Sequence, residues 1–393
     1  MKVRDYIRSF EWHLLFIAFV LTAMGITFIW SAAYSSEFLS SKPMHQALFL
    51  CVCLPAMSVI LRIGYFAFSR WAYFIYGLLL ILLVLVLFMG RGGASRWFDI
   101  AFGFRMQPSE FMKLGVILAL ARYLMYRRDL NTWKGLFVPL AMVGVPMLLI
   151  IKQPDLGTAL VLVPITLGML FSTGYGSRKL IVLILAGLIF LPCAYYLPVL
   201  KDYQRERIST FMQSIPDLSE EALALKKEGK RKDALLIESR IRRLKRGAGY
   251  QQFYAMVAIG SGGISGKGLA CGPQNRMGTV PERHTDFIFA IVGEEWGFLG
   301  CSAMLLLFFL MTAIIFGVAN RTREAFGKHL CTGIGLLLIT QAFVNTAISV
   351  GLLPITGLTL PFVSYGGSSL LSSYCALAFV LDVGVRRIRV LAR

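Results

Sequence analysis

Apolar runs long enough to cross a lipid bilayer recur along the whole chain of 393 residues, 57% of which are hydrophobic. An uninterrupted apolar run of about 20 residues crosses a bilayer as a helix, because the hydrocarbon core offers no water to unpaired backbone groups. The sequence therefore predicts an all-α, polytopic membrane protein with ten transmembrane helices. The predicted spans are 13–33, 45–63, 71–89, 109–126, 136–151, 158–174, 179–198, 287–318, 329–350 and 369–385.

The distribution of Lys and Arg among the short loops predicts the orientation of these helices. When the N-terminus is cytoplasmic, the short inner loops and both termini are rich in basic residues and the short outer loops are poor in them. The positive-inside rule then places both termini in the cytoplasm. The chain is predicted to be one membrane domain, 1–393, with a large extracytoplasmic loop, 199–286, between helices 7 and 8.

The net charge of +19 does not indicate a nucleic-acid-binding protein. The basic residues flank apolar helices and do not gather in one domain, which disfavours nucleic acid as a partner. Part of the outer loop, about 217–246, has the spacing of one or two basic amphipathic helices. This insertion is either a solvated surface helix or a helix that lies on anionic lipid headgroups or a partner protein.

Polar stretches marked by Gly and Pro cluster on the predicted outer side. They are 91–113, 152–158, 260–268, 281–289 and 354–369. The Gly-rich stretch 260–268 is not a phosphate loop, because Ser261 replaces the first glycine and Gly268 replaces the final Ser or Thr. We expect a bent segment whose backbone approaches lipid or substrate.

Three ionisable residues in and beside the predicted spans are candidate site residues. Glu110 and Lys113 are three residues apart on one helix and can form an ion pair, either structural or functional. Asp155 follows Pro154 in a tight turn, where it can cap the sixth span, line a cavity, or do both. Charged groups at membrane depth usually face a cavity and have partners.

Asp286 is the candidate catalytic residue. It precedes an apolar run and is flanked by Arg283 and His284. Burial raises the pKa of a carboxylate and nearby cations lower it, and together they can tune a general base. The alternatives are a helix cap by Asp286 or Thr285, or a proton held by His284. Glu294 is expected to line the cavity or to pair.

Basic groups on the same side predict an anionic substrate. They are Arg96, Arg105, Lys113, Arg207, Lys267 and Arg283. Lys and Arg around a cavity suit a phosphate or pyrophosphate headgroup. The residues alone thus indicate a membrane enzyme or carrier for an anionic lipid. The seven cysteines and four histidines form no zinc-binding cluster, and the identity of any metal is left open.

Four separated motifs resemble the SEDS family, the RodA/FtsW/SpoVE polymerases of bacterial cell walls. They are 107-QPSEFMKL-114, 153-QPDLGTAL-160, 281-PERHTDFIF-289 and 357-GLTLPFVSYGGSSL-370. The match runs from the first span to the last. The stretch 203-YQRERISTF-211 and 281–289 look more like RodA, whereas 293-GEEWGFLG-300 looks somewhat like FtsW. The insertion 217–246 departs from the family pattern.

The resemblance implies a multi-pass protein of the bacterial cytoplasmic (inner) membrane that polymerises lipid II into peptidoglycan glycan strands for cell elongation and shape. It implies that Asp286 is the essential aspartate, Glu110 and Lys113 the functional charge pair, and Asp155 the turn aspartate. The expected partners are lipid II, undecaprenyl-pyrophosphate-linked glycan, a class B penicillin-binding protein and membrane lipids. A divalent cation, Mg or Mn, is a further expected aid to the leaving group.

Three alternative functions stay open at this point. A division-specific or spore-specific polymerase of the FtsW or SpoVE type would share the chemistry. A lipid II flippase would need a site near the bilayer midplane between related halves, and the sequence has neither an internal repeat nor a charged motif on the inner half. A scaffold for the penicillin-binding protein would give Asp286 no special role.

Overall fold

The computed structural model describes residues 10–34, 39–89, 96–99, 105–126, 133–196, 224–225 and 248–391. Arg207, the stretch 203–211 and nearly all of 217–246 lie outside these ranges. The helices are α1 Trp12–Tyr34, α2 Lys42–Ile63, α3 Tyr65–Met89, α4 Pro108–Tyr126, α5 Trp133–Lys152, α6 Leu156–Ser172, α7 Ser177–Tyr196, α8 Ala248–Ser261, α9 Pro273–Met277, α10 Ile288–Arg321, α11 Ala325–Ser349 and α12 Gly367–Leu391. Two short strands, β1 Phe98–Asp99 and β2 Arg105–Met106, pair antiparallel between α3 and α4.

Each predicted span overlaps one helix of the described chain, namely α1 to α7 and α10 to α12. Seven of these helices are long and apolar enough to cross a membrane: α1, α2, α3, α5, α10, α11 and α12. The predicted all-α, multi-pass class is therefore confirmed. Because α6 is apolar but only 17 residues long, the number of crossings and their orientation remain predictions.

The predicted start of the third span at residue 71 is six residues late. α2 ends at Gly64, whose φ of 84° ends the helix, and α3 begins at once with Tyr65. The first turns of α3 carry Ser69 and Arg70 among aromatic residues. These two polar residues interrupt the apolar run, so a search for such runs starts the span after them.

The centre of the bundle is formed by α11 and α12. α11 packs against α10, α4, α6 and α12, and α12 also packs against α2. In the most apolar stretch of α12, 89% of the residues are buried inside the protein, whereas in that of α3 the share is 17%. Apolar side chains on α3 thus face outward, as expected where the solvent is lipid. The inner helices are the ones that can position polar groups away from lipid.

The long helix α10 is broken at Gly297, which has φ 64° and ψ −158°. The break leaves carbonyl groups without helical partners. The carbonyl of Glu294 accepts from the backbone N–H of Lys267 at 3.1 Å, and that of Glu295 accepts from Gly268 at 2.9 Å. Backbone groups freed at membrane depth must be paired again within the protein.

The Gly-rich loop 260–268 also pairs the other side of the break. The N–H of Phe298 donates to the carbonyl of Gly263 at 2.9 Å, and that of Leu299 donates to Ile264 at 3.1 Å. The backbone of this loop thus lies against α10, whereas its expected approach to lipid or substrate stays a prediction. Its glycines allow main chain to lie against main chain.

A pair of glycine substitutions tests this docking. At Gly266 the φ is +79° and an added Cβ would overlap the carbonyl of Glu295. We expect Gly266→Ala to lower the free energy of unfolding by at least about 1–2 kcal/mol, which is the cost of the left-handed backbone conformation for alanine without any overlap of atoms. The measurement is the melting temperature of the purified, detergent-solubilised protein.

The matched control is Gly260→Ala, six residues earlier in α8, where an added Cβ meets no atom within 4 Å. We expect the control to melt at or above the wild-type temperature, because alanine favours helix over glycine. Equal melting temperatures for both variants would show that close docking of the loop is unimportant for stability.

Candidate active site

Asp286 lies two residues before α10, in the segment that leads from α9 into that helix. Its side chain is half-buried. The cap position of α10 is Phe287, and no side chain caps the helix there. The hydroxyl of Thr285 donates to the backbone carbonyl and the side chain of Glu282, both at 3.1 Å. The cap position of α10 is therefore neither Asp286 nor Thr285.

Asn345 on α11 holds the main chain at Asp286. Its amide nitrogen Nδ2 donates to the carbonyl of Asp286 at 2.9 Å and to the carbonyl of Leu358 at 2.7 Å. The loop 350–366 is thereby held beside the segment that carries Asp286. A Cβ added to Gly357 would lie 3.5 Å from Oδ2 of Asp286, so the carboxylate faces this loop.

Two further contacts join the same two segments. The hydroxyl of Ser364 donates to the carbonyl of Thr285 at 2.6 Å and accepts from the N–H of Leu360 at 2.8 Å. The N–H of Tyr365 donates to the carbonyl of His284 at 3.0 Å. Hydrogen bonds on both sides of Asp286 therefore fix the position of its backbone.

The loop 350–366 also reaches the start of α6, next to Asp155. A Cβ on Gly157 would lie 2.7 Å from Leu358 and 2.9 Å from the carbonyl of Thr356. Only glycine allows this approach. One loop thus borders both Asp286 and the turn that holds Asp155.

Asp155 caps α6, as one of its predicted roles requires. The carboxylate is 1% exposed and accepts from the backbone N–H of Thr158 at 3.2 Å and from its hydroxyl at 2.9 Å. Gln107 Nε2 and Ser109 Oγ contact the same carboxylate at 2.9 and 3.3 Å. The prediction of a helix cap is confirmed. Asp155 also ties the start of α4 to the start of α6.

Glu110 and Lys113 form the predicted ion pair in the first turns of α4. Lys113 Nζ lies 2.8 Å from Glu110 Oε1, and the side chains are 1% and 6% exposed. The second carboxylate oxygen, Oε2, is buried and has no hydrogen-bond partner among the described residues. Because Ser109 contacts Asp155, the pair lies at the same end of the bundle as the α6 cap.

Arg96 and Arg283 both donate to backbone carbonyls. Arg96 Nε donates to Gln153 at 2.8 Å, and its NH2 group donates to Pro154. Arg283 is 7% exposed and its NH2 group donates to the carbonyl of Ala32 near the end of α1, at 2.9 Å. Burial lowers the pKa of Arg283 from its ordinary value. Both guanidinium groups position the turns around the site.

Lys267 and Glu294 belong to the contact between the Gly-rich loop and α10. Lys267 Nζ is exposed and donates to Ser261 Oγ at 2.7 Å. The carboxylate of Glu294 is 1% exposed and accepts from the backbone N–H groups of Gln274 and Asn275 at 2.8 and 3.0 Å. Glu294 therefore caps the short helix α9. The structure does not bring Lys267 or Glu294 into contact with Asp286.

Sequence reasoning missed Glu295 as a structural residue. It is fully buried, accepts from Asn275 Nδ2 at 2.8 Å, and is hydrogen-bonded to Ser31 on α1. Two adjacent glutamates at the end of an apolar run were a signal that buried donors would be needed. Their partners lie in distant parts of the chain, so the signal did not identify them.

Sequence reasoning also missed a contact between Lys42, Tyr365 and His284. Lys42 Nζ lies 4.7 Å from the centre of the Tyr365 ring, and the His284 ring centre lies 5.6 Å from it. Arg105 lies within electrostatic reach of Tyr365, whose pKa is raised by burial and lowered in part by that cation. Cations from α2 and β2 therefore meet beside the segment that carries Asp286.

The surroundings of His284 favour its neutral form. Burial lowers the pKa of its imidazole below 6.5, Glu282 partly opposes this, and the cations Lys42 and Arg283 lower the pKa further. A neutral imidazole offers one donor and one acceptor. His284 thus adds hydrogen-bonding capacity beside Asp286 without adding positive charge.

No group of three or more His, Cys, Asp or Glu side chains with a metal-binding arrangement occurs within the described ranges. The counter-charge that these ranges offer to an anionic ligand comes from Lys and Arg. The arrangement can hold an anionic headgroup near a half-buried carboxylate that is able to accept a proton.

This fold and this site define a class: polytopic membrane proteins with a carboxylate held between a helix start and a long loop, and with basic residues beside it. The family model of FtsW, RodA and SpoVE, described as cell cycle proteins, matches residues 11–388. The chain therefore belongs to this family. With its membrane-spanning helices, it is a multi-pass protein of the bacterial cytoplasmic membrane.

Similar proteins and structures agree with this assignment. A protein of Trichlorobacter lovleyi named probable peptidoglycan glycosyltransferase FtsW is 35% identical over 94% of this chain and 92% of its own. Peptidoglycan glycosyltransferase MrdB of Escherichia coli K12 is 32% identical over 95% of this chain and 93% of its own.

Two solved structures cover 96% of this chain. One, described as "Structural coordination of polymerization and crosslinking by a peptidoglycan synthase complex", has a TM-score of 0.74, 30% identity and 98% of its chain covered. The other, RodA of Thermus thermophilus, has a TM-score of 0.66, 28% identity and 97% of its chain covered.

A double substitution tests the ion pair on α4. We expect Lys113→Met to destabilise the protein by about 3–5 kcal/mol, because it leaves the Glu110 carboxylate buried without its cation. The double variant Glu110→Gln, Lys113→Met removes both charges and should recover much of this loss. Chemical or thermal unfolding in detergent measures both. Additive losses in the double variant would contradict coupling between the two side chains.

Proposed function

We propose that this protein is a peptidoglycan glycosyltransferase that polymerises lipid II into glycan strands at the outer face of the cytoplasmic membrane. The observation that carries the proposal is Asp286, a half-buried carboxylate whose backbone is held from both sides beside Lys42 and Arg105. The names of the similar proteins support the same activity.

Asp286 acts as the general base of the transfer. It accepts the proton of the sugar 4-hydroxyl of one lipid-linked disaccharide, and that oxygen attacks the anomeric carbon of the growing chain. The bond from this carbon to the pyrophosphate breaks, and undecaprenyl pyrophosphate leaves with the electron pair. Attack opposite the leaving group inverts the anomeric configuration. Pyrophosphate leaves readily as an anion, which reduces the need for the protonated acid that glycosidases use.

The leaving pyrophosphate is stabilised by cations at the same end of the bundle. Lys42 lies over the ring of Tyr365, and Arg105 acts on the same side chain through its charge, so both are candidates for this role. Preorganised positive groups lower the free energy of the transition state where negative charge develops. Arg96 and Arg283 donate to carbonyls, so we assign them a positioning role. A bound divalent cation would supply additional counter-charge to the pyrophosphate.

The proposed topology has ten crossings with both termini in the cytoplasm, so that Asp286, Asp155 and Glu110 lie at the outer end. The distribution of basic residues in the short loops supports it. Because Cys271 is exposed in the same loop, the test uses a Cys271→Ser background, in which a membrane-impermeant thiol reagent applied to cells should label Glu282→Cys but not Arg323→Cys.

We further propose a role in cell elongation together with a class B penicillin-binding protein. The RodA-like motifs and the likeness to RodA structures support elongation, whereas similarity to proteins named FtsW supports division. The likeness to a structure described as a peptidoglycan synthase complex supports a transpeptidase partner. Rescue of cells depleted of RodA, compared with cells depleted of FtsW, distinguishes the two roles.

Replacement of the general base gives the decisive prediction. Asp286→Asn keeps the shape of the side chain but cannot accept the proton, so we expect a folded protein whose polymerisation rate is lower by about 10²–10⁴-fold. The assay is polymerisation of labelled lipid II by purified protein, with and without its partner, read as glycan length on a gel.

The matched control is Glu282→Gln, which removes an exposed carboxylate four residues away and should retain polymerisation. Near-normal polymer from Asp286→Asn would refute the assignment of the base. Loss of polymer in His284→Gln, with retention in Asp286→Asn, would move the role of base to His284. Absence of polymer from wild type with its partner would favour a flippase, which transport of lipid II across sealed vesicles would detect.

The double variant Glu110→Gln, Lys113→Met then separates structure from chemistry at the ion pair. A folded double variant that polymerises lipid II normally would show a structural pair. A folded variant without polymer would assign the pair a role in the reaction.

A further inference from the structure

A groove of about 370 Å³ lies between the start of α1 and the last turns of α10. Asp286 is at the other end of α10, so this groove is separate from the candidate active site. Its wall on α10 includes Leu310, Ile314, Gly317 and Arg321. His13 and Glu11, at the start of α1, border the same end as Arg321. The groove is apolar along its length and charged at one end.

The groove has the dimensions of a lipid chain in one leaflet. Residues 310, 314, 317 and 321 follow helical spacing and form one continuous stripe. Eleven residues of helix span about 16 Å, which is close to half of the roughly 30 Å hydrocarbon thickness of a bilayer. A stripe of this length therefore matches one acyl chain from its headgroup to the middle of the bilayer.

Gly317 keeps the middle of the groove open. A Cβ added at this position would meet no atom within 4 Å. Leu310 is 41% exposed although it lies in the apolar part of the chain. The groove thus has space for an apolar chain and a side that opens to the surroundings.

The charged end of the groove favours an anion. Arg321 is exposed and makes no hydrogen bond or ion pair with the described residues. The carboxylate of Glu11 is neutralised by Arg387 at 2.7 Å. Arg323 follows in the turn between α10 and α11 and adds a second positive charge. Glu324, next to it, offsets one of these two charges, and its carboxylate is held by backbone N–H groups at the start of α11. The balance of charge at the mouth of the groove is therefore positive.

The charged end also has a feature of a membrane surface. Trp12 lies next to His13 at the start of α1 and is 53% exposed. Exposed tryptophan is enriched at the level of lipid headgroups. Arg321 and His13 are thus at the depth where a lipid phosphate would be.

We propose that this groove binds one anionic phospholipid of the cytoplasmic leaflet. Its phosphate is held by Arg321 and His13 through charge-assisted hydrogen bonds, and one acyl chain lies along Leu310, Ile314 and Gly317. Basic pockets between membrane helices on the cytoplasmic side recognise such headgroups. The choice of leaflet depends on the proposed topology, whereas the site itself does not depend on the proposed enzyme activity.

The test compares phosphatidylglycerol with phosphatidylcholine of identical chains, added to the purified full-length protein in detergent. A ligand that binds the folded state raises the melting temperature with its concentration, and we expect a larger rise with phosphatidylglycerol. Arg321→Gln should weaken the apparent affinity for phosphatidylglycerol roughly fivefold, the effect of about 1 kcal/mol per basic residue. Arg321→Lys should retain most of the affinity.

A second variant tests the apolar part. Gly317→Leu places an apolar side chain in the open space, where an added Cβ meets no atom within 4 Å, and it should remove the difference between the two lipids. The matched control, Gly144→Leu on α5, also meets no atom within 4 Å and should behave as wild type. Equal stabilisation by both lipids, or full retention of the difference in Arg321→Gln or in Gly317→Leu, would overturn the proposal.

Photocrosslinking uses only the wild-type protein, so its result does not depend on whether a variant folds. A phosphatidylglycerol with a photoreactive acyl chain should label peptides of 310–321 most strongly. Excess phosphatidylglycerol should compete with this labelling, and excess phosphatidylcholine should not. Labelling concentrated elsewhere would overturn the proposal. These outcomes are separate from lipid II polymerisation, so either proposal can fail without the other.

Discussion

The structure depends on the requirement that every backbone N–H and C=O at membrane depth find a partner within the protein. At Gly297 the helix α10 cannot meet this requirement by itself. The loop 260–268 donates N–H groups to the carbonyls that precede the break, and its carbonyls accept from the N–H groups that follow the break. These are the backbone groups that the interrupted helix leaves without partners. Two glutamates of α10 hold the neighbouring elements in place. Glu294 accepts from backbone N–H groups at the start of α9, and Glu295 is hydrogen-bonded to Ser31 on α1. The chain from α8 to α9 is thus an integral part of the bundle where it meets α10.

The candidate site follows from a second long loop, 350–366, that joins elements far apart in sequence. It touches the segment of Asp286 through Ser364 and the start of α6 through Leu358. Asp155 then links the start of α6 to the first turns of α4, which carry Glu110 and Lys113. The charged residues of three motifs are therefore connected, through the uncharged fourth, by contacts of the backbone and short polar side chains. Rigid elements hold the site, which limits the movement of its carboxylate.

Sequence patterns predicted the membrane helices and the cap at Asp155, because both depend on local properties. A long apolar run is itself the signal of a membrane span. An aspartate that precedes a helix accepts a hydrogen bond from a backbone N–H within the next three residues. The patterns did not predict the break at Gly297, since one more glycine in an apolar run changes hydropathy little. The contact of Lys42 with Tyr365 was also missed. It joins residues more than 300 positions apart, and no single-sequence pattern encodes such a distance.

The hydrogen bonds of Asn345 have a consequence for how the site can open. One nitrogen atom is bonded to the carbonyl of Asp286 and to the carbonyl of Leu358. Two further hydrogen bonds, from the Ser364 hydroxyl to Thr285 and from the Tyr365 N–H to His284, join the same two walls. The spacing of the walls on this side is therefore set by three links, of which Asn345 is the one that belongs to α11. A ligand that enters between the walls has to use the side of the site away from these links.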